Sequence, residues 1–230
     1  HIAFATVIFP ECGTDDACNK RNGDGLENGP LQAHMADALL YRHWTEWNDG
    51  RRTHVFLYDL QHRTYSDLTP GDFDAPSFSL GGGGFSFSPD GKEICYVSNH
   101  DRVAAQTTNK DLWVVPVAGG QATNITAGNK AYDGDPEYSP DGRYIAYRTQ
   151  RIPNFESDRF RLAIYDRTIH KETILTEGFD NWVDDFHWSP DSRSLYFTGD
   201  VRGHVPLYRV DIATRKIVQV ADPKTIDAFT

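Results

Sequence analysis

Ser88-Pro89-Asp90-Gly91 returns as Ser139-Pro140-Asp141-Gly142 and again as Ser189-Pro190-Asp191-Ser192, at steps of 51 and 50 residues in a chain of 230. Each copy is flanked by runs of strand character. Before it stand Phe85-Ser86-Phe87, Pro136-Glu137-Tyr138 and Phe186-His187-Trp188. After it stand Ile94-Cys95-Tyr96-Val97, Tyr144-Ile145-Ala146-Tyr147 and Ser194-Leu195-Tyr196-Phe197. Proline at the second turn position holds φ at about −65°, aspartate bonds to nearby backbone, and glycine takes the positive φ that closes a bulged hairpin. Ser192 departs from the pattern and, if left-handed, costs about 1 kcal/mol relative to glycine. A period of about fifty residues built from short apolar strands marks a β-propeller, whose blades are small four-stranded antiparallel sheets.

Third and fourth strands follow in each unit. Asp111-Leu112-Trp113-Val114-Val115-Pro116-Val117 leads to Ala122-Thr123-Asn124-Ile125-Thr126, and Arg161-Leu162-Ala163-Ile164-Tyr165-Asp166 leads to Glu172-Thr173-Ile174-Leu175-Thr176. Pro206-Leu207-Tyr208-Arg209-Val210-Asp211 leads to Lys216-Ile217-Val218-Gln219-Val220. The ends read as cut within a repeat. Ile2-Ala3-Phe4-Ala5 matches a second strand, and Ile226-Asp227-Ala228-Phe229-Thr230 matches the innermost strand of a further blade. The expectation is an all-β chain with about four blades present and one partly helical insertion, the whole being part of a larger closed ring.

The hydrophobic share of 39% supports a packed core, and the net charge of −10 argues against nucleic acid or an anionic membrane surface as partner. No run of about 18 apolar residues occurs, so no membrane-spanning segment is expected. Cys12 and Cys18 stand six apart in a polar loop, and Cys95 sits in a strand as a buried small hydrophobe. The first pair reads as a disulfide, as two free thiols or, least favoured, as part of a metal site, since no further ligand stands at zinc spacing. A disulfide would fit the periplasm or the cell exterior. The Asn124-Ile125-Thr126 sequon matters only in a host that glycosylates.

The connection between the second and third strands of the first unit runs over about residues 10–52, far longer than its counterparts, and a loop of that length in a compact domain is usually functional or disordered. Its first half, residues 11–30, is polar and glycine-rich and is expected to be mobile. Its second half, residues 31–47, reads partly as a helix from the spacing of Met35, Leu39, Tyr41 and Trp44. Arg42-His43-Trp44-Thr45-Glu46-Trp47 is the densest set of recognition-capable side chains in the chain. Arginine can hold a carboxylate, glutamate an amine, and tryptophan a cation or an apolar group. The plainer reading has Trp44 and Trp47 anchor the insertion while Arg42 pairs with Glu46 across one helical turn.

A second candidate is Phe179-Asp180-Asn181-Trp182-Val183-Asp184-Asp185, which approaches an innermost strand near the central channel. There Asp184 and Asp185 could meet a ligand's amine, or simply cap a turn. Asp133-Gly134-Asp135 occupies the corresponding place one blade earlier and favours the turn reading, with each aspartate taking backbone N–H bonds. Gly81-Gly82-Gly83-Gly84 precedes a strand and lacks the Lys-Ser/Thr of a phosphate loop. His187 reads as a satisfied core histidine. No Gly-x-Ser-x-Gly elbow, HExxH helix or dinucleotide fingerprint occurs, so no catalytic residues, metal ligands or cofactor are assigned.

The Ser-Pro-Asp-Gly repeats, Gly119-Gly120-Gln121-Ala122-Thr123-Asn124-Ile125-Thr126 and Trp188-Ser189-Pro190-Asp191 resemble TolB-type propeller repeats, found in TolB and in the propellers of the prolyl oligopeptidase family of serine peptidases. More specifically, the segment from Tyr41-Arg42-His43-Trp44-Thr45-Glu46-Trp47 to Thr53-His54 is similar to bacterial dipeptidyl-peptidase and acylaminoacyl-peptidase-like members, where it also follows a loop like Pro10-Glu11-Cys12 and Cys18-Asn19-Lys20. The resemblance covers essentially the whole chain. It implies a seven- or eight-bladed propeller that caps an α/β-hydrolase domain of the same parent chain and restricts access to short peptides. It also implies a carboxylate that holds the substrate's free amino terminus, for which Glu46 is the first candidate, with Arg42, His43, Trp44 and Trp47 beside it. Residues 1–230 are then a partial propeller without the catalytic domain, not expected to hydrolyse peptides alone. A periplasmic or secreted location and a homodimer of the parent fit the same reading. The alternatives are a TolB-like interaction propeller without an enzyme, and a carbohydrate-active or lyase-type propeller.

Overall fold

The computed structural model describes residues 1–31, 33–37, 39, 41–77, 84–221, 225–226 and 228–230, with His43 described by its backbone alone. Residues 81–83 of the glycine run and Asp227 of the terminal strand lie outside the described residues, as do Gln32, Ala38 and Leu40.

The repeated turn builds as its residues dictate. In each copy the serine hydroxyl donates to the aspartate two residues on, at 2.7 Å for Ser88–Asp90, 2.6 Å for Ser139–Asp141 and 2.7 Å for Ser189–Asp191. The same oxygen accepts the N–H of Glu93, Tyr144 or Ser194, which starts the return strand. Gly91 and Gly142 take φ of 69° and 72°, and Ser192 takes 60°. Ser192 has a compensating contact, because its Oγ accepts the Asp141 N–H of the neighbouring turn at 3.0 Å.

Strands β1 (Ile2–Ile8), β4 (Arg52–Asp59) and β5 (Thr64–Asp67) form a three-stranded sheet, with the small hairpin β2 (Arg42–His43) and β3 (Glu46–Trp47) in the insertion between them. The other three sheets have four strands each. They are β6 (Phe85–Phe87), β7 (Glu93–Ser98), β8 (Asp111–Pro116) and β9 (Thr123–Asn124); then β10 (Asp133–Tyr138), β11 (Tyr144–Thr149), β12 (Arg161–Asp166) and β13 (Lys171–Ile174). The last is β14 (Phe186–Trp188), β15 (Ser194–Thr198), β16 (Leu207–Asp211) and β17 (Ile217–Ala221). All pairings within these sheets are antiparallel and sequential, the order of propeller blades.

Two further devices repeat. A threonine just after the fourth strand accepts a third-strand N–H on its hydroxyl: Val55 to Thr69, Leu112 to Thr126 and Leu162 to Thr176, at 2.8–2.9 Å. Each chain segment approaching a new blade also bonds the backbone just ahead of, or at the start of, the previous blade's third strand, as Ala75 to Thr53, Asp133 to Lys110, Val183 to Phe160 and Ile226 to Val205. Thr225 thus follows the same route toward an innermost-strand position, bridging Val205 in parallel.

The apolar core is layered between sheets. Val55, Leu57 and Leu68 pack with Ile94, Tyr96 and Val115 between the first and second blades. Cys95, Val97 and Leu112 pack with Tyr138, Ile145 and Tyr147 between the second and third. Ala146, Leu162 and Ile164 pack with Phe186, Leu195, Phe197 and Val210 between the third and fourth.

The insertion differs from expectation. Its helix, α1 (Asp16–Asn28), lies in the first half, where mobility was expected, and the second half carries the β2–β3 hairpin instead of a helix. The cause is local. Asp15 caps α1 by accepting the Cys18 N–H, Asp16 suits the first turn, Lys20 pairs with Asp24, and Cys12 is bonded to Cys18. Among the described residues of 31–47 there is no comparable cap, and a short helix without a packed face is marginal in water. Met35 and Leu39 remain 77% and 68% exposed, so among the described residues no buried stripe holds such a helix.

Candidate functional site

Antiparallel order sorts the loops onto two rims. The Ser-Pro-Asp turns and the connections from third to fourth strands fall on one rim. The connections from second to third strands, and from each fourth strand to the next blade, fall on the other. The insertion therefore shares a rim with Asp133–Asp135 and Asp184–Asp185, the two sequence regions expected to approach the channel.

In the insertion, Arg42 lies opposite Trp47 and His43 opposite Glu46 in the hairpin ladder, and the Asn48 N–H bonds Tyr41 O at 3.0 Å. Trp44 sits in the turn at φ 47°, left-handed, with 72% of its surface exposed. A bulky residue with positive φ is uncommon and costs about 1–2 kcal/mol. Trp47 is the hub of the base. The His34 ring stacks on it at 4.1 Å and 5°, Tyr41 stacks at 5.8 Å, and the Arg42 guanidinium lies 5.8 Å from its ring centre. Arg51 donates to Trp47 O at 3.1 Å. Arg42 thus faces an indole and not Glu46; the one-turn ion pair requires a helix that does not form. Among the described residues no ion pair reaches Glu46.

Asp184 and Asp185 have other commitments. Asp184 pairs with Arg148 at 3.4 Å, and Arg148 also gives its Nε–H to Asp135 at 2.7 Å while lying over the Phe160 ring. Asp185 accepts the Phe186 N–H at 3.0 Å and stands 3.7 Å from His187 Nε2. His187 is no core histidine: it is half-buried, and its Nδ1 faces Glu137 at 3.2 Å. Nor do Asp133 and Asp135 act as simple turn caps. Both are buried within β10, where Asp133 accepts from the Asn129 side chain and Asp135 from Arg148. Burial pushes the Asp133 carboxyl up to about 7. Burial likewise raises Asp135, against the opposing Arg148 charge, and raises Glu137.

The hairpin and the Asp184–Asp185 segment are thus on one rim, but no ion pair joins them among the described residues. No group of His, Cys, Asp and Glu among those residues could hold a metal ion. Among the described residues no helix is long and apolar enough to cross a membrane. Sequence reading passed over His34 and Arg148, whose partners lie far along the chain. The recurring threonines Thr69, Thr126 and Thr176 were passed over too, although their place just after each fourth strand repeats in the sequence.

No family model matches the chain. It is 34% identical over 189 residues to a protein of Porphyromonas gingivalis named dipeptidyl-peptidase 5, covering 79% of this chain and 28% of that one. The dipeptidyl-peptidase 5 of Aspergillus fumigatus is 26% identical over 208 residues, 80% of this chain and 29% of that one. The chain therefore spans under a third of the length of these relatives. Among solved structures, an acylaminoacyl peptidase superposes with TM-score 0.63 at 17% identity over 86% of this chain and 29% of its own. A putative TolB of Agrobacterium tumefaciens superposes with TM-score 0.57 at 20% identity, over 74% and 55%. Blades, repeated turns and relatives agree: the chain matches the TolB-type propeller portion of a prolyl oligopeptidase-family peptidase.

Proposed function

We propose that the chain is the substrate-gating and substrate-binding propeller portion of a serine exopeptidase of the dipeptidyl-peptidase type, acting on short peptides. The observation that carries this reading is the 34% identity to dipeptidyl-peptidase 5 over 79% of the chain. Such an enzyme must find a free amino end, and an ammonium taken from water needs a carboxylate partner. Of the candidates, Asp184 shares Arg148 with Asp135, and Asp185 is bound to backbone beside His187. Among the described residues Glu46 has no ion pair, and from its braced hairpin it is assigned the ammonium. Arg42, His43, Trp44 and Trp47 form the rest of the site, with Asp184 and Asp185 on the same rim.

Peptide-bond hydrolysis belongs in this reading to an α/β-hydrolase domain elsewhere in the parent chain, which supplies serine, aspartate and histidine. Residues 1–230 then form part of a seven- or eight-bladed ring, and the parent is a homodimer. The Cys12–Cys18 bond favours a periplasmic or secreted protein. In the full-length enzyme, Glu46→Gln is expected to lower kcat/KM on free-amino peptides about 10- to 100-fold, the worth of a charged hydrogen bond. Amino-blocked peptides should be nearly unaffected. Equal losses on both would remove Glu46 from the anchoring role.

A further inference from the structure

We infer that His34 is a positioning residue for Glu46, acting through Trp47; this rests on the ammonium-binding reading of Glu46. A hairpin with two residues per strand cannot hold its own shape in water, since even longer isolated hairpins are marginal. Something outside the ladder must fix it. His34 comes from a segment eight residues before the hairpin and contacts it in two ways. Its Nδ1 meets Asp49 Oδ1 at 2.8 Å, just after β3, and its ring lies parallel on the Trp47 indole at 4.1 Å. Asp49 is largely buried and left-handed at φ 48°, with Gly50 at 79°, so the hairpin's exit is a tight turn that this contact pins. Arg51 closes the other side, donating to Trp47 O at 3.1 Å and lying 4.0 Å from Asp49.

Trp47 is thus held at its ring by His34 and at its carbonyl by Arg51. Glu46 is the preceding residue on the same strand, so fixing Trp47 fixes the backbone from which the carboxylate projects. A carboxylate already in place loses less freedom when an ammonium arrives than one on a moving loop. His34 touches no substrate in this arrangement. Its effect is carried by Glu46 and should vanish when Glu46 no longer acts.

Two measurements on the full-length enzyme test this. In His34→Ala, hydrogen exchange at the Asn48 amide, which bonds Tyr41 O, should accelerate at least about 10-fold. Unchanged exchange overturns the clamp whatever Glu46 does. In kinetics, His34→Ala should lower kcat/KM on free-amino peptides about 3- to 10-fold through KM, with blocked peptides unchanged. His34→Trp, which keeps a flat ring over Trp47, should restore most of the loss. In Glu46→Gln the further change His34→Ala should cost nothing more, because the two act as one unit. Additive losses, or equal losses on blocked peptides, reduce His34 to a structural residue and overturn the proposal. If Glu46→Gln itself affects both substrates equally while Asn48 exchange still accelerates, the reading of Glu46 fails, and with it His34's role toward substrate, while the clamp stands.

Discussion

The Ser-Pro-Asp turns and the insertion after β1 both connect neighbouring antiparallel strands, yet they spend their polar side chains in opposite ways. In the turns the serine and aspartate side chains are spent on each other and on the turn's own backbone. Ser139 Oγ donates to Asp141 and accepts the Tyr144 N–H, and Asp141 also takes the Arg143 N–H. The hydroxyl of Ser88 and the Lys92 backbone hold Asp90 down to about 2. In the insertion, rings stack on rings, and Glu46 and Trp44 face outward. A segment whose side chains satisfy its own backbone has little left to offer a ligand. A segment braced by a few ring contacts can present charge and aromatic surface. The repeats encode architecture, and the exception to the repeat is where recognition is best sought.

The contrast can be broken or sharpened experimentally. The largest effect on stability belongs to the scaffold and its pH dependence. Asp133 is raised to about 7 in the folded chain by burial, against 3.8 for the free side chain, so between these values the folded form holds a proton that the unfolded form has lost. Stability should therefore fall as pH rises from about 4 to about 7, by up to ~4 kcal/mol from this group alone. Asp133→Asn should flatten that part of the slope in urea titrations across this range; an unchanged slope would show that the carboxyl is not the source. Ser139→Ala should come next, at about 2–3 kcal/mol, because a buried hydroxyl with several partners is lost. By contrast, Trp47→Ala should leave the midpoint within ~0.5 kcal/mol while impairing free-amino peptides, since the hairpin lies outside the core layers.

Smaller effects refine the same comparison. Opening the Cys12–Cys18 bond by Cys18→Ser should loosen α1 locally by about 2 kcal/mol, read as faster amide exchange in residues 16–28, because α1 buries no side chain of its own. If the global midpoint moved as much, the insertion would be part of the cooperative scaffold after all. Ser192→Gly should be close to neutral. It relieves a left-handed serine worth about 1 kcal/mol but forfeits the bond from the Asp141 N–H.

The blades were legible because their determinants are local and repeated: a proline, an aspartate and a left-handed position stand within four residues of one another. The same local logic anticipated a left-handed Ser192 and left out only its bond to the neighbouring turn. The helix was misplaced because loose apolar spacing over 31–47 outweighed the cap formed by Asp15 with Asp16, a signal present in the sequence. The environment of Asp184 was not legible, because Arg148 stands thirty-six residues away and only the packing of two blades brings them together. His34 was hidden for a similar reason, since its stacking on Trp47 depends on a turn at Asp49 that no periodicity announces.

Since each apolar layer is contributed partly by one sheet and partly by the next, no sheet here is a self-sufficient module. A swap of one whole repeat from a relative would import two mismatched half-layers at once. A crossover placed within a sheet, between its second and third strands, leaves both flanking layers with a mixture of native and foreign side chains. Chimeras of such proteins should therefore be designed around facing sheet surfaces, with the fifty-residue repeat treated as a unit of spelling and not of folding.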